Sequence, residues 1–432
     1  MKFKITKKLL EEALRKSCVV CTKGIKTEFT DAHKITIRAE KDKVLFLSTN
    51  GYLDVLTIYS KSQGGCEVEN EGVASINASV GRNIAQAIGN DDDDEIELSI
   101  KTLSGSPHLH LKNLTVKKKK VAKMQTEAQD LKFTIPKPKK GKNYLEHLFP
   151  RKLFCDSVNS LVKYKSPFQF KPKYLMLCIH FLPDHIRFIC GCGMRFGCLE
   201  YKNKETFEGL VDPEKGDKRL LPAEQASIIA SVVGNEGDLG LHWNDYKTCL
   251  IDAGSTQLCL KGIPEEEYIS YEIHAYRFKD AKAVVDIRRD KMAHLARLAG
   301  AVRDKDSESE GSFHTCCLSV KESEISVEVD EGKYQMEAEE DIEFYKVSAS
   351  EFKANYSHEF VSDSIEDTNY DTVRFYCIDP DGIVIVEPLI LDVKDGTFVE
   401  DERVPEAHCP RRKVEDDYAA NMIFFFTAAG DE

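Results

Sequence analysis

The chain has 432 residues and carries 60 basic against 73 acidic side chains, which gives a formal net charge of −13. Hydrophobic residues make up 42% and charged residues 31%, proportions that are typical of globular proteins and exclude a disordered or fibrous chain. Residues 1–6 form an amphipathic strand pattern, and no apolar run reaches the roughly 18 residues of a membrane span. We therefore expect a soluble, cytoplasmic protein of several domains, without a signal peptide or a membrane partner.

In chain order, the most prominent pattern is a unit that occurs three times. Each copy opens with a short amphipathic helix, and the three first helices are predicted at 9–14, 153–158 and 292–298. Each copy later contains a second helix, and these are predicted at 80–88, 226–233 and 352–361. The copies are nearly equally spaced, which predicts an internal repeat.

Alternation of apolar and polar residues predicts strands around these helices. The strands are expected at 34–39, 44–48, 52–58 and 95–100, at 175–181, 186–190, 196–201, 239–243, 248–252 and 257–261, and at 314–320, 324–329, 334–339, 372–378 and 382–387. Two helices backed by sheets in each copy predict an α+β fold built three times. The predicted domains are residues 1–132, 133–272 and 273–432.

The sequence offers no clear constellation for catalysis, a metal or a cofactor. Its 14 cysteines include one adjacent pair on a strand pattern, Cys316 and Cys317. Neighbouring strand residues point to opposite faces, so these two do not suit one tetrahedral metal. Reduced core thiols are the favoured interpretation. A glycine run at 191–197 precedes a strand rather than a helix, which argues against a dinucleotide site. We therefore expect no cofactor, no metal and no enzymatic activity.

Basic residues concentrate on the helical segments, whereas acidic residues cluster in turns such as 91–95 and 306–310. Such a distribution would repel nucleic acid over most of the surface and attract it to one face. The alternative is that these are ordinary solvated helix faces. Two lysine runs, 117–120 and 137–142, are open to two interpretations as well. They form either a nucleic-acid or nuclear-import patch or a solvated linker between the first two copies, and we favour the linker.

The whole chain resembles the bacterial DNA polymerase III beta subunit, the sliding clamp. The resemblance rests on the order and spacing of residues 45–55, 78–88, 186–196, 267–271 and 422–426. Additional residues near 117–142, 201–218 and 391–413 make the chain longer than is typical of the family. They suggest a divergent member, for which a phage origin is one option.

The resemblance implies a head-to-tail homodimer in which six similar domains close a ring around double-stranded DNA. Partners would be a DNA polymerase and a clamp loader, and the role would be that of a processivity factor in DNA replication. The alternative is a clamp-shaped interaction scaffold for viral transcription or packaging that does not close stably on DNA.

The resemblance also implies three sets of site residues. Basic side chains at the helices would meet DNA phosphates without reading bases, and this set is Lys7, Arg15, Lys23, Arg82, Lys152, Lys163, Arg289, Arg297 and Lys353. A pocket for partner peptides would be formed by Gly191, Gly193, Met194, Arg195, Phe196, Ile269, Ile273, Met422, Phe424, Phe425 and Phe426. The dimer interface would bring the strand at 108–114 against residues 299–302, and its apolar members would be Leu109, Leu111, Leu298 and Val302.

The three consecutive phenylalanines at 424–426 have two interpretations. They are either a plain core strand or part of the peptide pocket. Because neighbouring strand residues face opposite sides, at least one of them must face away from the core of its own domain.

Overall fold

The computed structural model describes residues 1–23, 33–116, 120–126, 131–165, 171–183, 185–192, 195–202, 211–265, 267–271, 281–302, 315–321, 323–330, 335–341, 343–347, 351–366, 372–378, 383–389, 393–394, 397–398 and 420–427. Six α-helices lie in these segments: α1 (Lys7–Thr22), α2 (Ala78–Ile88), α3 (Arg151–Leu161), α4 (Ala223–Val233), α5 (Arg289–Ala301) and α6 (His358–Glu366).

The strands of the first copy are β1 (Lys2–Thr6), β2 (Lys34–Glu40), β3 (Lys43–Thr49), β4 (Leu53–Ser60), β5 (Glu67–Asn70), β6 (Gly72–Asn77), β7 (Glu95–Leu103), β8 (Ser106–Asn113) and β9 (Lys120–Gln125). The second copy has β10 (Leu145–Pro150), β11 (Met176–Phe181), β12 (His185–Gly191), β13 (Arg195–Lys202), β14 (Asp217–Pro222), β15 (Asp238–Trp243), β16 (Thr248–Ala253) and β17 (Thr256–Lys261). The third copy has β18 (Ala283–Arg288), β19 (Thr315–Val320), β20 (Glu324–Asp330), β21 (Gln335–Asp341), β22 (Glu343–Val347), β23 (Phe352–Ser357), β24 (Thr372–Cys377), β25 (Ile383–Leu389), β26 (Val393–Lys394), β27 (Thr397–Phe398) and β28 (Ala420–Thr427).

One compact unit comprises residues 1–159 and 224–265. It contains a five-stranded sheet in the order β5-β1-β7-β8-β9 and an eight-stranded sheet in the order β10-β15-β16-β17-β4-β3-β2-β6. In the larger sheet, β17 of the second copy pairs antiparallel with β4 of the first. A single sheet therefore joins the first two copies.

The other unit comprises residues 160–223 and 266–432. Its nine-stranded sheet has the order β14-β11-β12-β13-β28-β25-β24-β18-β22, and a separate four-stranded sheet has the order β21-β20-β19-β23. Here β13 of the second copy pairs antiparallel with β28 of the third. The second joint thus repeats the arrangement of the first.

The helices form where the sequence pattern places them, and α1 illustrates why. Its buried residues include Leu10, Ala13 and Leu14, a spacing that gives one apolar face at helical period. That face packs into the same core as Ala85 and Ile88 of α2. At the start of α2, the Asn77 side chain accepts a hydrogen bond from the Val80 amide and so caps the helix.

One predicted helix is wrong. The second helix of the third copy was expected at 352–361, but residues 352–357 form β23 and α6 begins at His358. In β23, Phe352, Ala354 and Tyr356 are buried while the residues between them are exposed. This two-residue period is that of a strand with one buried face.

The predicted dimer interface through the strand at 108–114 is also wrong. Strand β8 pairs with β7 on one side and with β9 on the other. Leu109 and Leu111 are both 0% exposed and belong to the core of the first copy. They therefore serve folding rather than a dimer surface, and an aspartate at either position would bury an unpaired charge.

The cysteines are consistent with the predicted core thiols. Thirteen cysteines lie in the described residues, all of them free, and all except Cys317 are buried. Burial raises the pKa of the Cys21 thiol to about 12 and that of Cys190 to about 12. Neither thiol is therefore ionised near neutral pH, which makes both poor nucleophiles and poor metal ligands.

Within the described segments, we find no helix that is both long and apolar enough to cross a membrane.

Candidate functional site

The first candidate region is the joint between β13 and β28, where residues of the predicted peptide pocket meet. In the register of these strands, Arg195 lies opposite Phe426, Phe196 opposite Phe425, and Leu199 opposite Met422. Residues 195–199 and 422–426, far apart in sequence, are therefore neighbours in one sheet. Three members of the predicted set, Gly193, Met194 and Ile273, lie outside the described residues.

Arg195 is buried in contacts within the protein, with 9% of its surface exposed. Its Nη1 donates to Asp363 of α6 at 2.5 Å, and its Nη2 donates to the Lys163 carbonyl at 3.0 Å. The guanidinium also lies over the Phe360 ring, 4.7 Å from its centroid. The predicted role of Arg195 as a docking group is thus not supported by this arrangement, in which it holds β13, residues 162–164 and α6 together.

Two further pocket residues have structural roles. Gly191 ends β12 opposite Phe196, and a Cβ built at Gly191 would collide with the Cβ of Phe196. Phe196 is itself buried. Ile269 remains half-buried. Of the pocket residues whose side chains are described, Ile269 is the one with substantial surface available to a peptide.

The second candidate region is the set of basic residues at the helices. Four of them are exposed, namely Lys23, Lys152, Arg297 and Lys353. Four are half-buried, namely Arg15, Arg82, Lys163 and Arg289. The third copy contributes Lys353 from a strand rather than a helix, and its Nζ pairs with Glu328 at 3.1 Å.

Lys7 does not fit the predicted role in DNA binding. It is 8% exposed, its Nζ lies 3.3 Å from Glu11, and its Cδ fills the space where a Cβ at Gly89 would sit, 2.6 Å away. The adjacent Lys8 is exposed and forms no ion pair within the described segments. Lys8 is therefore the better candidate for DNA binding on α1. It directly follows Lys7, the residue that the sequence suggested, but it lies on the exposed side of the helix.

Arg15 has a partner inside the chain. Its Nη1 donates to the carbonyl of Ser231 on α4 at 2.9 Å. Lys16, the next residue, is buried and bonds Glu12 and Thr256. Burial lowers the pKa of the Lys16 ammonium. Arg15 and Lys16 therefore hold the first two copies together, so their charges are not fully available to DNA.

The third candidate region consists of two strands at sheet edges. Strand β9 ends the five-stranded sheet and β21 ends the four-stranded sheet. Strand β9 carries Lys120 and Lys123, whereas β21 reads Gln-Met-Glu-Ala-Glu-Glu-Asp. Sequence reasoning missed β9 because its residues lie in the lysine-rich stretch that was interpreted as a linker. Leu298 and Val302, from the predicted dimer interface, are half-buried at the end of α5.

No cluster of three or more histidine, cysteine or carboxylate side chains with metal-binding spacing occurs among the described residues.

Comparison by sequence yields no matching family model and no matching curated protein. Comparison by structure matches solved proteins over the full chain. The DNA polymerase III beta subunit of Thermotoga maritima has a TM-score of 0.75 at 12% identity, covering 100% of both chains. The DNA polymerase sliding clamp of Bacillus subtilis has the same values. The DNA polymerase beta subunit of Streptococcus pyogenes has a TM-score of 0.73 at 13% identity, covering 99% of this chain and 100% of that one. The chain therefore has the fold of the DNA polymerase III beta subunits, as the sequence resemblance predicted.

Proposed function

We propose that this protein is a DNA sliding clamp: a non-catalytic ring of two chains that encircles duplex DNA and tethers a DNA polymerase. The observation that carries the proposal is the structural match to sliding clamps over the full chain. In addition, the edge strands β9 and β21 occupy the same places in their copies as the strands that pair at the two joints inside the chain. Domains 1–132, 133–272 and 273–432 would each contribute one sixth of the ring.

The two joints inside the chain provide the template for the joint between chains. Strand β17 pairs with β4 and β28 pairs with β13. By their place in the repeat, β9 corresponds to β17 and β28, while β21 corresponds to β4 and β13. We infer that β9 of one chain pairs antiparallel with β21 of its partner. This replaces the interface through Leu109 and Leu111.

Charge favours this pairing. Strand β9 carries Lys120 and the exposed Lys123, whereas β21 carries four carboxylates, of which those of Glu337, Glu339 and Asp341 are exposed. Opposite charges on facing strands stabilise a pair, and like charges destabilise it. A β9 to β9 or β21 to β21 contact would bring like charges together, so the joint selects a head-to-tail ring.

A helix contact would reinforce the same joint. Helices α1 and α5 each begin directly after the first strand of their copy, so Arg15 and Arg297 occupy the same position. Arg15 donates to the Ser231 carbonyl on α4, and the corresponding residue of α2 is Gln86. Arg297 would therefore donate to the Gln86 carbonyl of the partner chain, beside the predicted interface residues Leu298 and Val302.

Duplex DNA would be held by exposed cations of the helices, through contacts to phosphates that carry no sequence information. Lys8 and Lys23 are the strongest candidates because their charges are exposed, whereas the exposed Lys152 pairs with Asp156 at 2.5 Å. Weak contacts of this kind permit sliding, and the closed ring supplies persistence. Polymerase and loader peptides would dock near Ile269 and the β13 to β28 joint.

The solution mass tests the ring. Lys120→Glu with Lys123→Glu places like charges on both strands of the joint, and we expect a monomer by light scattering at a concentration where the native chain is a dimer. Adding Glu337→Lys and Glu339→Lys to that variant reverses both strands and should restore the dimer. A monomeric native chain, a Lys120→Glu, Lys123→Glu variant that stays dimeric, or a reversal variant that stays monomeric would contradict the joint.

Retention on DNA tests encirclement. The native protein should thread onto a linear duplex through its free ends and, once both ends are blocked by bulky caps, stay bound in high salt. The Lys120→Glu, Lys123→Glu monomer serves as the control and should be washed away. Loss of the native protein from capped DNA would instead favour a scaffold that does not close on DNA.

A further inference from the structure

A second basic region lies outside the helices, in the segment that connects the first two copies. Five lysines lie within eleven residues there, and we call them the lysine strip: Lys132, Lys137, Lys139, Lys140 and Lys142. All five are exposed. Among the described residues, only Lys140 forms an ion pair, with Glu146 at 3.2 Å. The strip is therefore a run of available positive charge on a chain whose net charge is −13.

The strip is held in place at several points. The Leu131 amide donates to Thr36 Oγ1 at 3.0 Å, and Arg38 donates to the Leu131 carbonyl at 3.3 Å. Further along, the Lys139 amide donates to Asn244 Oδ1 at 2.8 Å. These bonds fasten the backbone to neighbouring strands and loops, which the solvated-linker interpretation did not anticipate.

Two prolines stiffen the strip between its anchors. Pro136 and Pro138 fix their own φ angles and disfavour helical conformations in the residues before them. These preferences favour an extended chain, and a fully extended polyproline segment rises about 3.1 Å per residue, so roughly 30 Å is the upper limit of the span of the five lysines. Because the backbone is already ordered, a ligand that follows the strip would lose little binding energy to ordering it.

The carboxylate beside the strip, Glu146, already has partners of its own. Glu146 accepts a hydrogen bond from the Tyr144 hydroxyl, and the imidazole of His242 lies 3.4 Å away. The hydrogen bond from Tyr144, with the Lys140 ammonium as a further contributor, lowers the pKa of Glu146. The Tyr144 hydroxyl and Glu146 thus satisfy each other, and four of the five lysines keep their charges available for an external anion.

We propose that the lysine strip is a second nucleic-acid contact, which binds the phosphate backbone of a strand running along the connecting segment. A linear polyanion matches a linear, pre-ordered row of ammonium groups, each of which can displace a condensed counterion. Lysine offers point charges without the planar fork that reads guanine, so the strip should have no sequence preference.

The test compares two variants with the same change of net charge. The strip variant is Lys132→Gln, Lys137→Gln, Lys139→Gln and Lys142→Gln. The control variant is Lys41→Gln, Lys61→Gln, Lys101→Gln and Lys112→Gln, which removes lysines that are likewise exposed and unpaired within the described residues. Fluorescence anisotropy with labelled oligothymidine and with a duplex of equal length measures binding at several salt concentrations.

We expect the strip variant to bind about tenfold more weakly at low salt and the control variant to bind within about twofold of the native chain. The slope of log affinity against log salt should fall by about 0.7 per lysine for a single strand and about 0.9 for a duplex, and the tighter probe identifies the form of nucleic acid. Equal losses in both variants would overturn the proposal, as would stronger competition by polyglutamate than by oligothymidine at equal charge. Short oligonucleotides do not require a closed ring, so this binding and DNA encirclement fail independently.

Discussion

The two basic regions of the chain, the helices and the lysine strip, differ in how much of their charge is available. On the helices, Lys7 and Lys16 are buried against glutamates and Arg15 bonds a helix carbonyl. On the strip, Lys137, Lys139 and Lys142 are exposed and unpaired within the described residues. The sequence alone makes the helices look like the stronger site. A basic residue is available for a ligand only where the fold leaves it without an internal partner.

Arg374 is a cation that is buried and paired inside the protein. Among the variants considered, its replacement should cause the largest loss of stability. It lies opposite Asp286 in adjacent strands and donates to it through Nε at 2.7 Å and Nη2 at 2.9 Å. Burial raises the pKa of Asp286, and the hydrogen bonds from Arg374 oppose this shift. Arg374→Met leaves the carboxylate without its partner and should lower the free energy of unfolding by about 3 to 5 kcal/mol.

Chemical denaturation measures this loss, and a second variant isolates its cause. Asp286→Leu combined with Arg374→Met removes both charges and should recover most of the stability, because an apolar pair can replace a buried ion pair. Arg288→Gln removes an exposed pair with Asp290 and should change stability far less. If Arg374→Met were as stable as Arg288→Gln, the buried pair would matter no more for stability than the exposed one, against this prediction.

His147 is a base that burial keeps uncharged, and it makes stability depend on pH. Desolvation lowers its pKa from 6.5 to about 4. Between these values the unfolded chain binds a proton that the folded chain does not, so stability should fall as pH drops from 6.5 to 4. The shift sets an upper limit of about 3 kcal/mol, and the effect should be smaller because the residue is only half-buried.

The change of Tm with pH measures this contribution. His147→Phe keeps a ring beside Phe149, whose centroid is 4.3 Å from that of the imidazole, and should flatten the acid side of the curve. His33→Phe is the matched control, since His33 is exposed and its loss should leave the slope unchanged. Identical slopes in the native chain and in His147→Phe would contradict the assignment.

The ion pair of Arg195 is intermediate between the buried pair of Arg374 and the exposed pair of Arg288, since its partner Asp363 keeps part of its side-chain surface exposed. Arg195→Ala removes a charged hydrogen bond and should lower the free energy of unfolding by about 2 kcal/mol. Arg195→Lys should restore little of it, because one ammonium cannot bond both Asp363 and the Lys163 carbonyl while stacking on Phe360. The affinity for a partner peptide, measured on the folded Arg195→Lys variant, should change little. A large loss of affinity would instead support the predicted role of Arg195 in the peptide pocket.

The sequence predicted what depends on local periodicity and missed what depends on neighbours in space. Helix α1 follows its pattern because it buries one face against a core, and in β4 the residues from Val55 to Ser60 alternate between buried and half-buried. Strand β9 was missed because it begins within the lysine run at 117–120, which resembles a solvated linker. The commitment of Arg195 to Asp363 was not predictable, since the two residues are 168 positions apart. Lys7 and Lys8 are adjacent in sequence, but Lys7 is buried and Lys8 is exposed.

The smallest expected effect concerns duplex DNA, and it separates Lys7 from Lys8 directly. Lys8→Gln removes an exposed charge and should reduce the slope of log affinity against log salt by about 0.9, as for one phosphate contact in duplex DNA. Lys7→Gln removes a charge that pairs with Glu11, so its slope should match that of the native chain while its Tm falls. Both variants change the net charge equally, and the difference between them therefore reports position alone. Fluorescence anisotropy with a short labelled duplex whose ends are open gives the slopes over a salt series. Equal slopes for the two variants would mean that general electrostatic attraction, rather than specific exposed lysines of α1, holds the DNA.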